Sequence, residues 1–573
     1  MTEHVDVLIV GAGLSGIGAA HQLQRAFPRR TYAIIEARDA IGGTWDLFRY
    51  PGVRSDSDMQ TLGYRWRPWT GAKAIADGPS ILQYVRDTAA ESGIDRHIRF
   101  GYRVTRASWS SADAQWTVEA SPVASQDGGQ PTSNGSSAVA GATDVAGATG
   151  GDGGANGARA NGGGAVGVGG DGAASIGGAN GGGGAVGVSE ATTSTSGTPG
   201  TPGTVSFTCN FLLVCTGYYR YDRGYQADLP GIENFGGQVV HPQQWPQDLD
   251  YAGKRVAVVG SGATAVTIVP AMAETAAHVT MVQRSPTYII SLPTEDPLDA
   301  KLRGLVGARR AYPVTRWKNV LVSTLIYQLS QHRPQMMRRW IRGMTVKQLP
   351  AGYDVDTHFK PVYGPWDQRL CLIPDGDLFR VIRDQQASVV TGKIATFTEH
   401  GIKMESGAEV EADIVVTATG LQLLALGGLQ LTVDGRDIQL PETMAYKGTM
   451  LSGVPNFALT IGYTNASWTL KADLVSDYVC RLLRYMDRHG YDVCVPVNDD
   501  PDVAERPLLD FAAGYILRSM HEFPKSGSRA PWRLGMSYLN DAVTLRHGRI
   551  DDGVMRFSRR GAGVARAAKE LVR

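Results

Sequence analysis

Two glycine-rich loops, each between a short apolar run and a helical pattern, constrain the fold of this chain more than any other feature. At the first, residues 6–10 suit a strand buried on both faces, and Gly11, Gly13 and Gly16 follow directly. The first glycine of such a unit permits a tight turn, the second lets backbone approach a pyrophosphate, and the third lets helix pack on strand. The next apolar run ends in Glu36, whose carboxylate suits ribose hydroxyls. This order predicts a dinucleotide-binding domain rather than a glycine-rich turn without a ligand.

The second loop repeats this order with a different residue at the ribose position. Residues 254–259 predict a strand, and Gly260, Gly262 and Ala265 follow in the pattern G-x-G-x-x-A. The next predicted strand leads to Arg284, which takes the place of Glu36 in the first unit. A guanidinium there accommodates a 2′-phosphate, so the pattern predicts NADPH rather than NADH. The alternative is that Arg284 lies at the surface and binds nothing. Two loops of opposite ribose chemistry indicate electron transfer from NADPH to FAD.

The composition excludes several other classes of protein. The chain has 573 residues, 43% of them hydrophobic, and a net charge of +1, which indicates a soluble protein of several domains with no general attraction to nucleic acid. Five cysteines form no C-x-x-C pair, so we expect no disulfide framework, no metal site and no flavin disulfide reductase. The first residues run straight into a strand and no apolar run reaches about eighteen residues, which predicts a cytoplasmic location without signal peptide or membrane span.

A low-complexity tract interrupts the first domain between two predicted strands. Residues 121–204 contain 27 glycines, no aromatic residue and no lysine. Such a segment has almost no large side chain to bury, so it cannot offset its ordering entropy. We therefore predict a disordered insertion at a strand–strand turn, around which the first domain still folds.

The segment between the two loops carries a third pattern, F-x-G-x-x-x-H-x-x-x-W-P. Its fixed places are Phe235, Gly237, His241, Trp245 and Pro246. The pattern resembles the fingerprint of the Baeyer–Villiger monooxygenases, flavoenzymes that insert one atom of O2 beside a ketone or onto sulfur. The alternative is an ordinary interdomain turn, in which Gly, Pro and His are common. Longer strings at 43–52, 54–59, 367–371 and 462–471 resemble the ethionamide-activating branch of that family.

The resemblance implies roles for particular residues. It assigns transition-state stabilisation to Arg369, with Asp56 positioning it; the family usually reads Lys-Arg where this chain has Gln368 and Arg369. An arginine suits this role because it stays protonated and directs parallel donors at anionic oxygen. The implied FAD contacts, besides the first loop, are Ser15, Glu36, Thr44, Trp45, Asp46, Leu47, Asp56 and Val104. The implied nicotinamide cofactor contacts are Arg54, Ser55, Asp56, Gly260, Ser261, Gly262, Ala263, Thr264, Ala265, Val266, Arg284 and Ser285.

The resemblance also implies an activity. The expected enzyme takes NADPH and O2, forms a C4a-peroxyflavin, converts ketones to esters or lactones, and oxygenates sulfides and thioamides at sulfur. Three alternatives stay open at this point. They are an N-oxygenating flavin monooxygenase, an uncoupled NADPH oxidase that releases hydrogen peroxide, and a nucleotide-sensing scaffold without enzymatic activity.

A basic helical stretch lies between the second loop and Arg369. Residues 301–350 contain eleven Lys or Arg and no Asp or Glu. The stretch indicates either a helical subdomain with a solvated basic face or contact with an anionic membrane surface. The sequence does not indicate an oligomeric state.

These patterns together predict an α/β protein with two Rossmann-like dinucleotide-binding domains, for FAD and NADP, a helical subdomain and a disordered insertion. The predicted division is 1–120 (FAD domain), 121–204 (insertion), 205–225 (FAD-domain strand and start of linker), 226–292 (NADP domain with fingerprint linker), 293–350 (basic helices), 351–388 (NADP domain) and 389–573 (FAD domain).

Overall fold

A computed structural model describes residues 2–123, 203–368, 370–509 and 513–561 of the chain. The glycine-rich tract predicted at 121–204 lies, apart from its ends, outside these residues, and so does Arg369.

The strands of the described residues follow in chain order. They are β1 (Glu3–Val10), β2 (Tyr32–Ile35), β3 (Ile98–Arg99), β4 (Tyr102–Ser110), β5 (Gln115–Pro122), β6 (Val205–Val214), β7 (Gln238–Val240), β8 (Arg255–Val259), β9 (His278–Gln283), β10 (Ile289–Leu292), β11 (Cys371–Pro374), β12 (Ala387–Thr391), β13 (Ile394–Thr398), β14 (Gly401–Met404), β15 (Glu409–Glu411), β16 (Ile414–Thr417), β17 (Gln430–Val433), β18 (Arg436–Asp437), β19 (Ala445–Tyr446), β20 (Met450–Leu451), β21 (Phe457–Leu459), β22 (Val493–Pro496), β23 (Glu505–Pro507), β24 (Lys525–Gly527) and β25 (Met555–Ser558).

The α-helices of the same residues are numbered separately. They are α1 (Leu14–Ala26), α2 (Thr44–Leu47), α3 (Met59–Leu62), α4 (Gly78–Glu91), α5 (Ala263–Met272), α6 (Pro297–Val306), α7 (Ala308–His332), α8 (Pro334–Gln348), α9 (Val355–Phe359), α10 (Asp377–Arg383), α11 (Trp468–His489), α12 (Gly514–Leu517) and α13 (Tyr538–His547).

The larger sheet carries the first glycine loop. Within the described residues it has nine strands, in the order β18-β17-β4-β5-β6-β1-β2-β3, with β21 paired to β6. β1 lies between β2 and β6 and is parallel to both, as in a dinucleotide-binding sheet. Its inner residues are almost fully buried because α1 and α11 cover one face and residues of other strands and loops cover the other, which explains the continuous apolar run of 7–10. The predicted α/β fold class is confirmed.

The second sheet carries the second loop and takes its strands from a long stretch of chain. Its order is β12-β9-β8-β16-β7, and every pair in it is parallel. β12 crosses the predicted boundary at 388, and β16 lies beyond it, in the segment 389–573 that the sequence assigns to the FAD domain. A buried apolar strand has the same pattern in either sheet, and the pattern does not identify its neighbour.

The basic stretch forms the helices α6, α7 and α8. Arg316 of α7 is buried, and its Nη1 donates to the carbonyl oxygens of Gln60 at 2.6 Å, Thr61 at 3.1 Å and Gly63 at 2.8 Å. These carbonyls lie at the end of α3, so a charged side chain of the helical subdomain caps a helix beside the first sheet. Of the helices in the part of the chain described here, none is both long and apolar enough to cross a membrane.

All five cysteines of the described residues are buried. They are Cys209, Cys215, Cys371, Cys480 and Cys494. Burial raises the pKa of the Cys215 thiol, at the end of β6, to about 12.

The ends of β5 and β6 predict that the tract is dispensable for folding. Ala120 pairs directly with Val205 across these antiparallel strands, so a turn of about five residues can replace 124–202. A shorter loop has a smaller entropic cost of closure on folding, so we expect the free energy of unfolding to rise by about 2 kcal/mol. Denaturant unfolding monitored by flavin fluorescence measures this, and loss of bound FAD or lower stability in the shortened protein would contradict it.

Candidate functional site

A cavity of about 320 Å³ lies between the two glycine loops. Its wall includes the first loop, the segment after Gly42 and Gly43, the ends of β2 and β6, the start of α5, and Leu372 of β11. Such a position, at the carboxyl ends of parallel strands, is where open α/β sheets bind ligands. The predicted site residues in this wall are Gly11, Gly13, Ser15, Glu36, Thr44, Trp45, Arg54, Ser55, Asp56, Val104, Ala263 and Thr264.

The first loop places backbone against backbone, which explains its glycines. A Cβ on Gly16 would lie 1.9 Å from the carbonyl oxygen of Gly11, so no side chain fits between helix α1 and the turn. A Cβ on Gly43 would lie 3.1 Å from Cα of Gly13, and Gly43 has a φ of +57°. The two glycine turns therefore form one wall of bare backbone at the cavity, which fits the close approach of a pyrophosphate. Gly16 itself lies beneath this wall rather than in it.

Glu36 is fixed at the end of β2 by backbone donors. Its carboxylate accepts hydrogen bonds from the N–H of Ala12 at 2.6 Å and of Arg38 at 2.9 Å, and the side chain is nearly fully buried. Burial raises the pKa of Glu36, and the backbone hydrogen bonds oppose this shift. A carboxylate has about four acceptor positions, so acceptor capacity remains for a pair of ribose hydroxyls at the cavity.

Asp46 and Leu47, which the resemblance assigns to FAD, lie outside the cavity wall. Asp46 is 1% exposed and pairs with three guanidiniums: Arg38 at 2.6 Å, Arg49 at 3.2 Å and Arg86 at 3.3 Å. It thereby holds the short helix α2, which carries Thr44 and Trp45. Leu47 packs against the apolar cluster of the second sheet.

The second loop also packs backbone against backbone, but residues beside it are exposed to solvent. Gly260 has a φ of +145°, and a Cβ there would lie 2.2 Å from the carbonyl oxygen of Ala418. Ser261 Oγ donates to the carbonyl oxygen of Ser285 at 3.1 Å, which joins the loop to the end of β9. Arg284 is exposed beside this contact. The predicted NADP residues outside the cavity wall are Gly260, Ser261, Gly262, Ala265, Val266, Arg284 and Ser285, of which Ala265 and Val266 are buried in the core.

Aromatic residues form a part of the cavity wall that the sequence did not identify. Tyr218, Tyr219 and Tyr221 follow the end of β6, and the hydroxyl of Tyr221 lies 3.1 Å from Thr44 Oγ1. Burial raises the pKa of Tyr221 to about 12, so its hydroxyl keeps its proton. The sequence could have indicated these tyrosines as site residues, because they follow directly after β6, the strand beside β1.

Trp468 and Tyr463, which the sequence placed either at the substrate pocket or in the core, both line the cavity. The indole Nε1 of Trp468 donates to Ser15 Oγ at 2.8 Å, which ties the start of α11 to the first loop. This donor fixes the orientation of a predicted FAD contact.

The fingerprint segment is attached to these tyrosines. Gln243 Nε2 donates to the carbonyl oxygens of Arg220 at 2.8 Å and Tyr221 at 3.1 Å. A Cβ on Gly224 would lie 1.9 Å from Cε1 of His241, so the imidazole packs on bare backbone. Burial lowers the pKa of His241, which favours the neutral ring.

Comparison with known proteins gives two family matches. Residues 203–425 match the flavin-binding monooxygenase-like model, and residues 9–68 match an NAD(P)-binding Rossmann-like domain. The FAD-containing monooxygenase EthA of Mycobacterium tuberculosis is 49% identical over 98% of this chain and 100% of its own length. The probable FAD-binding monooxygenase AlmA of Acinetobacter baylyi is 41% identical over 99% of both chains.

Solved structures with the same fold include two monooxygenases. Oxidized steroid monooxygenase bound to NADP superposes with a TM-score of 0.66 at 19% identity, over 97% of this chain and 100% of that one. The open form of cyclohexanone monooxygenase gives a TM-score of 0.65 at 18% identity, over the same shares of the two chains. At this identity the likeness establishes the fold.

Arg284 predicts the choice between the two nicotinamide cofactors. Arg284→Gln removes the guanidinium but leaves the exposed position able to fold, so we expect kcat/KM for NADPH to fall roughly 10- to 100-fold, as for a lost hydrogen bond to a charged group. The value for NADH should stay within about threefold, because NADH has no 2′-phosphate to pair. Steady-state kinetics with both cofactors measure this. Lys254→Gln, at the far end of β8, is the matched control, and an equal loss with NADH would contradict the assignment.

Proposed function

The chain belongs to the FAD-containing monooxygenases related to EthA, and from that premise we propose that its cavity oxygenates small apolar ketones, sulfides and thioamides. The protein is accordingly an FAD- and NADPH-dependent monooxygenase of the Baeyer–Villiger fold. The observation that carries the proposal is the cavity itself, in which residues of both nucleotide loops meet one aromatic wall.

The described residues fit both cofactors. The bare backbone of Gly11, Gly13 and Gly43 leaves room for the pyrophosphate of FAD, and Glu36 has acceptor capacity for its ribose. Thr264 at the start of α5 and exposed Arg284 would take the phosphates of NADPH. When bound, FAD supplies the redox chemistry, accepting hydride from NADPH and reducing O2.

Arg369 is proposed as the residue that stabilises negative charge on the reacting oxygen. A guanidinium is charged at every working pH and donates from a fixed fork, which suits an anion that develops during oxygen transfer. β11, which begins two residues after it, supplies Leu372 to the cavity wall, and Asp56 is in the same wall. We assign Asp56 to positioning the arginine.

The substrate class follows from the rest of the wall. Tyr218, Tyr463 and Trp468 line the cavity together with aliphatic side chains such as Leu424 and Leu426. Apolar walls favour substrates with little charge, and the few polar groups set their orientation. A thioamide or a ketone with an apolar body meets this requirement, and both react with the oxygenating form of the enzyme in the proposed activity.

Arg369→Ala tests the catalytic assignment. We expect anaerobic reduction of the flavin by NADPH to stay within about threefold of the wild-type rate, because the hydride step needs no stabilised oxyanion. Formation of ester from phenylacetone should fall at least about 100-fold, as for loss of an oxyanion donor. Stopped-flow absorbance and product chromatography measure the two steps, and Arg339→Ala on α8 is the control.

Retained ester formation in Arg369→Ala would contradict the role. Stoichiometric hydrogen peroxide without product from the wild-type enzyme would favour the uncoupled oxidase. Turnover of amines with no turnover of ketones would favour the N-oxygenating alternative.

We also propose that the helical subdomain contacts an anionic lipid surface. Val314, Trp317, Leu321 and Leu325 recur every three or four residues on α7 and are 49–59% exposed, so they form one outward apolar stripe. On α8, Trp340 is 46% exposed. Exposed basic residues on α7, α8 and the residue between them are Arg309, Arg310, Arg333, Arg339, Arg342 and Lys347. An apolar stripe with cationic neighbours and no acidic residue in 301–350 suits the interface of an anionic membrane.

This surface is attached to the cavity. Arg316, on the opposite face of α7, holds the end of α3, and Leu62 of α3 lines the cavity. A membrane contact at α7 would therefore place the wall of the cavity close to the source of apolar substrates.

Vesicle binding tests the lipid proposal. The double variant Leu321→Glu, Leu325→Glu should bind vesicles of phosphatidylglycerol at least about tenfold more weakly, because it removes apolar area and adds repulsion to the anionic surface. Wild-type binding should weaken with salt and be lost on phosphatidylcholine vesicles. Cosedimentation measures both. Val543→Glu on α13, where the valine is 64% exposed, is the matched control. Equal binding of wild type and double variant would contradict the proposal.

A further inference from the structure

An ion pair at the cavity joins the two nucleotide-binding regions. Arg54 lies in the cavity wall, and its Nη1 donates to Asp377 Oδ2 at 2.5 Å while Nη2 donates to Oδ1 at 3.4 Å. Both side chains are 13% exposed. The two residues are 323 positions apart in the chain. A pair of this kind is bidentate and shielded from solvent, unlike the exposed pairs elsewhere on the surface.

Each partner is held by its own region. The backbone of Arg54 bridges to Asp77, and the next residue, Ser55, donates its N–H to the carbonyl oxygen of Ala76 at 3.0 Å. Asp377 begins α10, where its Oδ1 also accepts from the N–H of Leu378 at 2.8 Å. α10 packs against α5, the helix that opens at the second glycine loop. The ion pair therefore connects the segment after the first glycine loop with α10, the helix that packs against α5 at the second glycine loop.

Arg54 keeps unused hydrogen-bonding capacity at this place. A guanidinium has five N–H donors, and Asp377 takes two of them. Arg54 Nε is buried and has no hydrogen-bond partner among the described residues. Polar groups left without a partner in a buried position are uncommon, and one in a cavity wall fits a site that a ligand completes.

We infer that Asp377 is a positioning residue, which fixes the guanidinium of Arg54 so that its remaining donors meet the nicotinamide half of NADPH. The inference rests on the proposed binding of NADPH in this cavity. Without the carboxylate of Asp377, the guanidinium of Arg54 keeps its charge but loses the two acceptors that fix the orientation of its plane. The flavin half of the site, which depends on Glu36 and the first loop, is unaffected.

The test is a double-mutant cycle on cofactor binding with Asp377→Asn, Arg54→Gln and the double variant. Titration of NADP+ followed by the flavin difference spectrum gives Kd. We expect each single variant to raise Kd for NADP+ about tenfold. The Kd of the double variant should exceed that of either single variant by less than about twofold, because both changes break the same ion pair. Asp377→Glu, which keeps the charge, should recover most of the affinity. FAD content per protein should not change.

Further variants separate positioning from structural damage. Asp356→Asn breaks an exposed pair with Arg342 in the same part of the chain and should leave Kd unchanged. If Asp377→Asn does not hold FAD, Arg54→Lys replaces it in the test, since it keeps the charge without the fork and should raise Kd severalfold. Additive effects in the cycle, or a Kd within twofold of wild type in Asp377→Asn or Arg54→Lys, would overturn the inference. Absence of oxygenated product from the wild type would count against the proposed function and leave this titration valid.

Discussion

The contact of bare backbone with bare backbone at the first loop is the constraint on which the site depends. Helix α1 can lie against the turn at Gly11 only because Gly16 has no Cβ, and a methyl group there would lie 1.9 Å from a carbonyl oxygen. The turn at Gly42 and Gly43, which follows β2, then packs on Gly13 and closes one side of the cavity. Glu36 and Trp468 are placed by hydrogen bonds to this loop. The carboxylate of Glu36 accepts from the N–H of Ala12, and the indole of Trp468 donates to Ser15 Oγ.

Buried polar contacts help to hold the helical subdomain in place. Arg316 binds three carbonyl oxygens and pairs with Asp473 at 3.6 Å, and burial raises the pKa of that carboxyl while the guanidinium opposes the shift. Breaking such a buried pair by removing one partner typically costs about 3–5 kcal/mol, because the other charge is left uncompensated. A geometry of this kind specifies where α7 sits, and with it the cavity wall at Leu62.

Local sequence patterns predicted the parts of this fold that local forces decide. Both strand–loop–helix units, the strand at 205–214 and the long helix after Trp468 follow from periodicity and from glycine at fixed spacing. The partner of a buried strand does not follow, since β16 is apolar on both faces and would suit either sheet. Asp46 shows the same limit. An acid beside a glycine loop suits a cofactor contact, and only the folded chain brings Arg38, Arg49 and Arg86 onto it.

The buried cysteines have a consequence for a protein that handles reduced flavin and oxygen together. Reduced flavin and O2 can form hydrogen peroxide, and the form of cysteine that peroxide attacks is the thiolate. Cys215 stands at the cavity with its pKa raised to about 12, and the other four thiols are also buried. Burial therefore keeps the Cys215 thiol protonated at the cavity, where it reacts slowly with any peroxide formed there.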